Sequence, residues 1–158
     1  MPNPSKDLQQ TESALRSVIQ SLIDGQDDLR NIGELLKEAS LKEYFLAESL
    51  TRAHFRGVLE SILHQEGVHD AKETATATGT LRRLWGDLKH TIGGGDHGLL
   101  TTAQQIEKEA VDAYEKAMNG DLPLPVRQIL SSQAAHVESS LEFIKSARDA
   151  TRENPLRR

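Results

Sequence analysis

Apolar residues recur along this chain at steps of three, four and seven, the spacing that places them on one face of an α-helix. From about Thr11 to Ala39 the apolar positions are Leu15, Val18, Leu22, Leu29, Ile32 and Leu36, which predicts a first long amphipathic helix. Ser40 to Glu43 has the form of a capping box, in which a serine oxygen and a glutamate three residues on satisfy each other's free backbone N–H groups. It predicts a second helix from Leu41 to about Gln65, ending near Gly67, with Leu41, Tyr44, Phe45, Phe55, Val58, Leu59 and Ile62 on its stripe. So short a link folds the two helices back on each other as a hairpin.

The pattern then lapses. Val68 to Gly79 is rich in Thr and Ala and has no period, and Leu81 to Lys89 predicts a short amphipathic helix with Leu81, Leu84, Trp85 and Leu88 on one side. Gly93 to Gly95 stops it, and Asp96 is placed to cap the next helix. That third helix is expected from about His97 to Met118, with Leu99, Ala103, Ile106, Ala110, Ala113 and Ala117 inside, an alanine-rich stripe that suggests close approach to a neighbour. Asn119-Gly120 reads as its C-terminal cap. Pro123 and Pro125 suit the first turn of a fourth helix, which is expected to run to about Thr151 with Val126, Ile129, Val137, Leu141 and Ile144 inside. Residues 1–10 and 152–158 read as flexible ends around a bundle spanning 11–151.

The plan is therefore all-α: two helical hairpins joined by a long connection, about 68–96, containing a short helix. A second helix of about 25 residues is roughly 38 Å long. The connection is long enough to travel back along it, so that the third helix starts at the same end as the second. That is the single-crossover, ferritin-like arrangement of a four-helix bundle.

Polar residues interrupt the oily stripes. At about 100° per residue, Glu48 and Arg52 fall near the centre of the second helix's stripe, spaced i, i+4 so that they can pair. Gln133 falls near the centre of the fourth stripe and His136 at its flank. Glu107 sits near the edge of the third, on one ridge with Val111 and Tyr114. The first helix offers only Gly25-Gln26 on its inward side, and its acids Asp24, Asp27 and Asp28 are expected to point mostly outward. A di-iron bundle needs a glutamate from each of two helices and Glu-x-x-His from each of the other two. Here the second helix offers Glu48-x-x-Thr51 and the fourth Gln133-x-x-His136, half of the pair in each case. The fullest metal set, Glu48, Glu107 and His136, is thin for two hard cations. Arg52, always charged and carrying five donors, supplies between Glu48 and Glu107 the positive charge a metal would bring. The expectation is a buried polar network of Glu48, Arg52, Glu107, Gln133 and His136 that holds no metal.

Composition narrows the alternatives. The chain has 158 residues, 37% hydrophobic and 27% charged, with a formal net charge of -5, which argues against a nucleic-acid groove. No apolar run approaches the roughly 18 residues of a membrane span. The start lacks the apolar core of a signal peptide, which makes the cytoplasm the expected location. There is no cysteine, so disulfides and thiol chemistry are excluded. Gly93 to Gly95 is no phosphate loop, because no strand precedes it and no Gly-Lys-Ser/Thr follows. His54, His64, His69, His90 and His97 share no face at metal-binding spacing, and no nucleophile constellation is visible.

Several stretches resemble a known family: Gly79 to Lys89, then Gly94-Gly95-Asp96, then Glu107 with Ala113 to Ala117, together with Arg52 and Phe55 three residues later. Over about Val18 to Ala147 the chain is similar to the small bacterial ferritin-like four-helix-bundle proteins that carry a domain of unknown function. The resemblance implies a ferritin-like fold and no established activity. The chain departs from that pattern in its first helix, where Ile32-Gly33 replaces a Gly-Tyr pair. Three readings of function follow: a non-catalytic bundle, stress-associated or acting through self-association as a homodimer; an iron- or manganese-binding protein or oxidase of the ferritin-like kind; and a helical module that binds a protein partner through Trp85 and the 68–79 segment.

Overall fold

The computed structural model describes residues 4–67 and 95–153. Its four helices are α1 (Pro4–Leu35), α2 (Ala39–Gln65), α3 (Asp96–Met118) and α4 (Leu124–Glu153), and they form an all-α four-helix bundle. The short helix expected at 81–89, with Trp85, lies outside the described residues, as does the tail from Asn154.

α1 begins seven residues before the apolar period does. Proline fits a helix's first turn because the N–H it lacks has no partner there anyway, and Pro4 starts the helix. The expected loose segment 1–10 is therefore helical from Pro4 onward. At the other end α1 stops at Leu35, and only three residues separate it from α2. The capping box expected at Ser40 does not form. α2 starts two residues earlier, at Ala39 with Glu38 as its N-cap, and the Ser40 hydroxyl donates to Glu38 Oε1 at 2.9 Å. The free amides at this corner are met from elsewhere. The Asp96 carboxylate accepts the backbone N–H groups of Lys37 at 2.9 Å and Glu38 at 3.0 Å. Asp96 is the first residue of α3, whose N-cap is Gly95 with φ +74°. So Asp96 clips the second hairpin to the turn of the first instead of capping its own helix.

That clip fixes the topology. The start of α3 lies beside the start of α2, and the apolar contacts agree. Leu29 and Ile32 of α1 and Leu36 just beyond it pack with Leu41 and Phe45 of α2, Leu99, Leu100, Ala103 and Ile106 of α3 and Ile144 of α4. A second cluster joins Leu15 to Ile23 of α1, Leu59 and Leu63 of α2, Ala110 to Ala117 of α3 and Val126 to Val137 of α4. α2 and α3 thus run the same way, and the chain between 67 and 95 links opposite ends of the bundle. A hairpin-to-hairpin loop at one end would have made them antiparallel.

α1 packs closely against both α2 and α3, and α3 against α4. Small residues set these approaches. A Cβ at Gly33 would stand 3.1 Å from Phe45 Cβ and 3.3 Å from Leu46 Cδ2, so the α1–α2 hairpin closes tightly only because that atom is absent. Ala103, Ala110 and Ala117 are buried inside the bundle; the alanine stripe is spent on internal packing. Gly120 does not cap α3 in the left-handed region, since only Gly67 and Gly95 have positive φ among the described glycines. Arg127 of α4 does that work, donating to the carbonyls of Met118 at 2.8 Å and Gly120 at 2.7 Å. A cation at a helix C-terminus also meets the negative end of the helix dipole.

Candidate functional site: a buried ion-pair layer

The two apolar clusters are separated by one polar layer. Glu48, Ser49 and Arg52 of α2, Glu107 of α3, and Gln133 and Ser140 of α4 are all buried. Arg52 is 1% exposed and among the largest fully buried side chains of the protein. Its guanidinium faces Glu107 as a fork: Nη1 donates to Oε1 at 2.8 Å and Nη2 to Oε2 at 2.5 Å. Nη2 also donates to Glu48 Oε2 at 3.2 Å, one turn back on the same helix. Two parallel charge-assisted bonds give this pair both strength and a fixed orientation. On the α1 side the guanidinium meets Gly25, where a methyl would stand 3.8 Å from Nη1 in ordinary contact.

Burial disfavours the charge on Arg52, but Glu107 and Glu48 outweigh it and hold the guanidinium more firmly protonated than usual. The chain places Arg52 here by simple periodicity. Four residues after Glu48 is one helical turn, so both point into the layer, and Glu107 meets them because α2 and α3 run parallel with their starts aligned. Glu107, expected near the edge of its stripe, is 0% exposed. α1 and α4 both pack on α3 and bury the two flanks of that stripe.

The layer reaches the surface through Glu48. Its other oxygen, Oε1, lies 2.8 Å from His136 Nε2, an N–H donating to a carboxylate. The His136 side chain is 42% exposed and its ring stands edge-on to Phe55, with centroids 5.3 Å apart. Gln133 belongs to a second, adjoining set. The Tyr114 hydroxyl donates to Gln133 Oε1 at 2.7 Å, and Gln133 Nε2 donates to the Phe55 carbonyl at 3.3 Å. Gln133 therefore serves a tyrosine and a backbone carbonyl rather than the lone pairs of Glu48 or Glu107. The Tyr114 hydroxyl is held above the usual phenol range, by burial first and by Glu107 besides, with Arg52 opposing. It stays a neutral donor. Tyr114 was visible in sequence only as the residue seven positions beyond Glu107 on the same ridge.

Thr51, the residue standing where a metal-binding histidine would, bonds its own helix: its hydroxyl donates to the Ala47 carbonyl at 3.2 Å. Among the described residues no group of three or more His, Asp or Glu is disposed to hold a metal ion. The first helix does carry one inward acid after all. Asp28 is 5% exposed, contrary to the outward orientation expected for the Asp24, Asp27 and Asp28 cluster, while Asp24 and Asp27 are partly exposed.

Comparison with known families matches residues 10–120 to a domain of unknown function, DUF2383. The chain belongs to that family. The matched stretch of this DUF2383 chain contains Glu48, Arg52 and Glu107, the buried core of the ion-pair layer; Gln133 and His136 of α4 lie beyond it. Comparison with curated proteins finds no match. No described helix is long and apolar enough to cross a membrane.

Proposed function

We propose that this protein is a non-catalytic bundle of the ferritin-like kind in which an arginine-centred ion-pair network stands in place of a di-iron centre. The observation that carries the reading is the Arg52 fork on Glu107, fully buried, with Glu48 on its other side. A ferritin-like centre would place iron or manganese between carboxylates of facing helices. Here the carboxylates that face one another already share a guanidinium, and their lone pairs are directed at its N–H groups. The residues present do not fit two metal ions: Thr51 and Gln133 replace an imidazole and a carboxylate, and Arg52 would add a positive charge beside the cations.

A buried ion pair is weak support for stability, because desolvation offsets most of the attraction. Its better-attested use is to fix register, since the wrong pairing leaves charges buried without partners. In this bundle the fork sets α2 against α3 at one level, between two apolar clusters that would by themselves tolerate sliding. Such a protein acts through its surface, and self-association is the form of action that accompanies this reading. It is supported by Leu50 of α2, which is 71% exposed.

Metal analysis of protein purified from iron- and manganese-supplemented cells tests the proposal. The expected result is substoichiometric metal, unchanged in a His136→Ala variant. Stoichiometric metal that is lost in His136→Ala would overturn it in favour of a metal-binding protein or oxidase. Sedimentation at micromolar concentration tests self-association, and a strict monomer removes that part.

A further inference from the structure

Asp28 lies outside the ion-pair layer, and nothing in that layer uses it. It sits on α1 one turn before Ile32, at the flank that α3 packs against. It is 95% buried by its exposure of 5%, and its Oδ1 has no hydrogen-bond partner. The charged groups that act on it are all acids: Asp24 and Asp27 from its own helix and Glu109 from α3. No cation from α2 acts on it in the same way; Arg52 is committed to Glu107 and Glu48. Asp27 has Arg30 at 4.0 Å, at the surface, and Gln20 donates to Asp24 at 3.2 Å. The cation and the amide donor of the neighbourhood thus face the outer carboxylates, and Oδ1 of the inner one is left without a donor.

An ionised carboxylate buried without donors is among the costliest arrangements a protein can hold, and such a group takes up a proton instead. We infer that Asp28 is a built-in proton site: the bundle folds with this carboxyl protonated at neutral pH, and its ionisation under mildly alkaline conditions loosens the contact between α1 and α3. Burial first, then Asp24, Asp27 and Glu109, pushes its pKa up to about 8. An unfolded chain has no such burial, and its aspartate titrates near the ordinary value of about 3.9. Between those two values the folded state holds one proton more than the unfolded state. The unfolding constant therefore rises with pH, by up to tenfold per unit, and levels off above the folded value. The sign is opposite to that of an ordinary salt-bridged aspartate, whose contribution is lost in acid.

Asparagine has the shape of a protonated aspartate and cannot ionise, so Asp28→Asn isolates the effect. The measurement is urea unfolding of the full chain, wild type and variant, at pH steps from 5 to 9. The expected result is a ratio of unfolding constants, wild type over variant, that climbs at least tenfold between pH 5 and pH 8 and flattens above. Because the ratio is read against pH, a fixed offset from repacking the side chain cancels. A ratio that stays constant over that range overturns the proposal. A second readout is the carboxyl carbon shift of Asp28 followed by NMR. A midpoint in the alkaline range is expected, moving lower in Glu109→Gln, and titration in the ordinary aspartate range would also overturn it.

Discussion

Glu107 and Asp28 are both buried carboxylates, and the chain treats them in opposite ways. Glu107 is met by a guanidinium that reaches it from α2 with two parallel bonds, so both of its oxygens have a donor with no exposure at all. Asp28 is met only by other acids, and one of its oxygens has no partner. Burial is similar; what differs is whether a neighbouring helix brings a donor to the same level. α2 brings Arg52 to Glu107 because the two parallel helices are in register there. α3 brings Glu109 toward Asp28, which adds like charge. Depth alone therefore does not decide whether a buried acid carries charge.

The sharpest way to break the contrast is to remove Arg52. Arg52→Ala turns Glu107 into a second unpaired acid at zero exposure and is expected to destabilise the bundle by about 3–5 kcal/mol, read from denaturant unfolding at pH 7. Next in size is the rescue. If the loss reflects an orphaned charge rather than a missing bond, Arg52→Leu combined with Glu107→Leu is expected to recover most of it, since replacing a buried pair with apolar residues is often neutral or stabilising. A double-mutant cycle measures this as a coupling on the order of 0.5–3 kcal/mol between the two sites. Strict additivity would mean that Arg52 and Glu107 act separately and that the fork does not set register.

Much of this was legible in the chain. The periods of α2, α3 and α4 give their extents to within a few residues, and the i, i+4 spacing of Glu48 and Arg52 places both inside. The two acids show where such reading ends. A single helix's period gives the angle of each side chain but not how many neighbours flank the stripe. Glu107 read as an edge residue and Asp28 as an outward one. Both are buried because α3 has α1 and α4 on its flanks, and α1 has α2 and α3. The Asp96 clip was beyond reach for another reason. Its acceptors and donors are 58 and 59 residues apart in sequence, and nothing local distinguishes a residue that caps its own helix from one that reaches across to another.

Asp96 offers a milder test of the same idea, that a carboxylate's fate is set by the donors brought to it. It is only partly buried, yet it takes two backbone N–H groups at the start of α2, where the helix dipole favours a negative charge. Asp96→Ala leaves those amides to water and is expected to cost about 1–2 kcal/mol, in the range of a lost helix cap. Because the bonds join the two hairpins, the loss should also appear as faster amide exchange at Lys37 and Glu38. If exchange there is unchanged, the clip does not hold the hairpins together.

The smallest effect is expected at His136. Its bond to Glu48 is short, but the ring is 42% exposed, and exposed pairs contribute about 0–1 kcal/mol. Glu48 also keeps Arg52 when the imidazole is gone. His136→Ala is therefore expected to lower stability by less than about 1 kcal/mol, part of it from the lost contact with Phe55. Carrying the same substitution in the Arg52→Ala background sharpens the point. There Glu48 loses both of its donors, and the cost of removing His136 should rise above its cost in the wild type. An unchanged cost would separate Glu48 from the paired class that Glu107 represents, and would mean that water reaches Glu48 well enough to replace the imidazole.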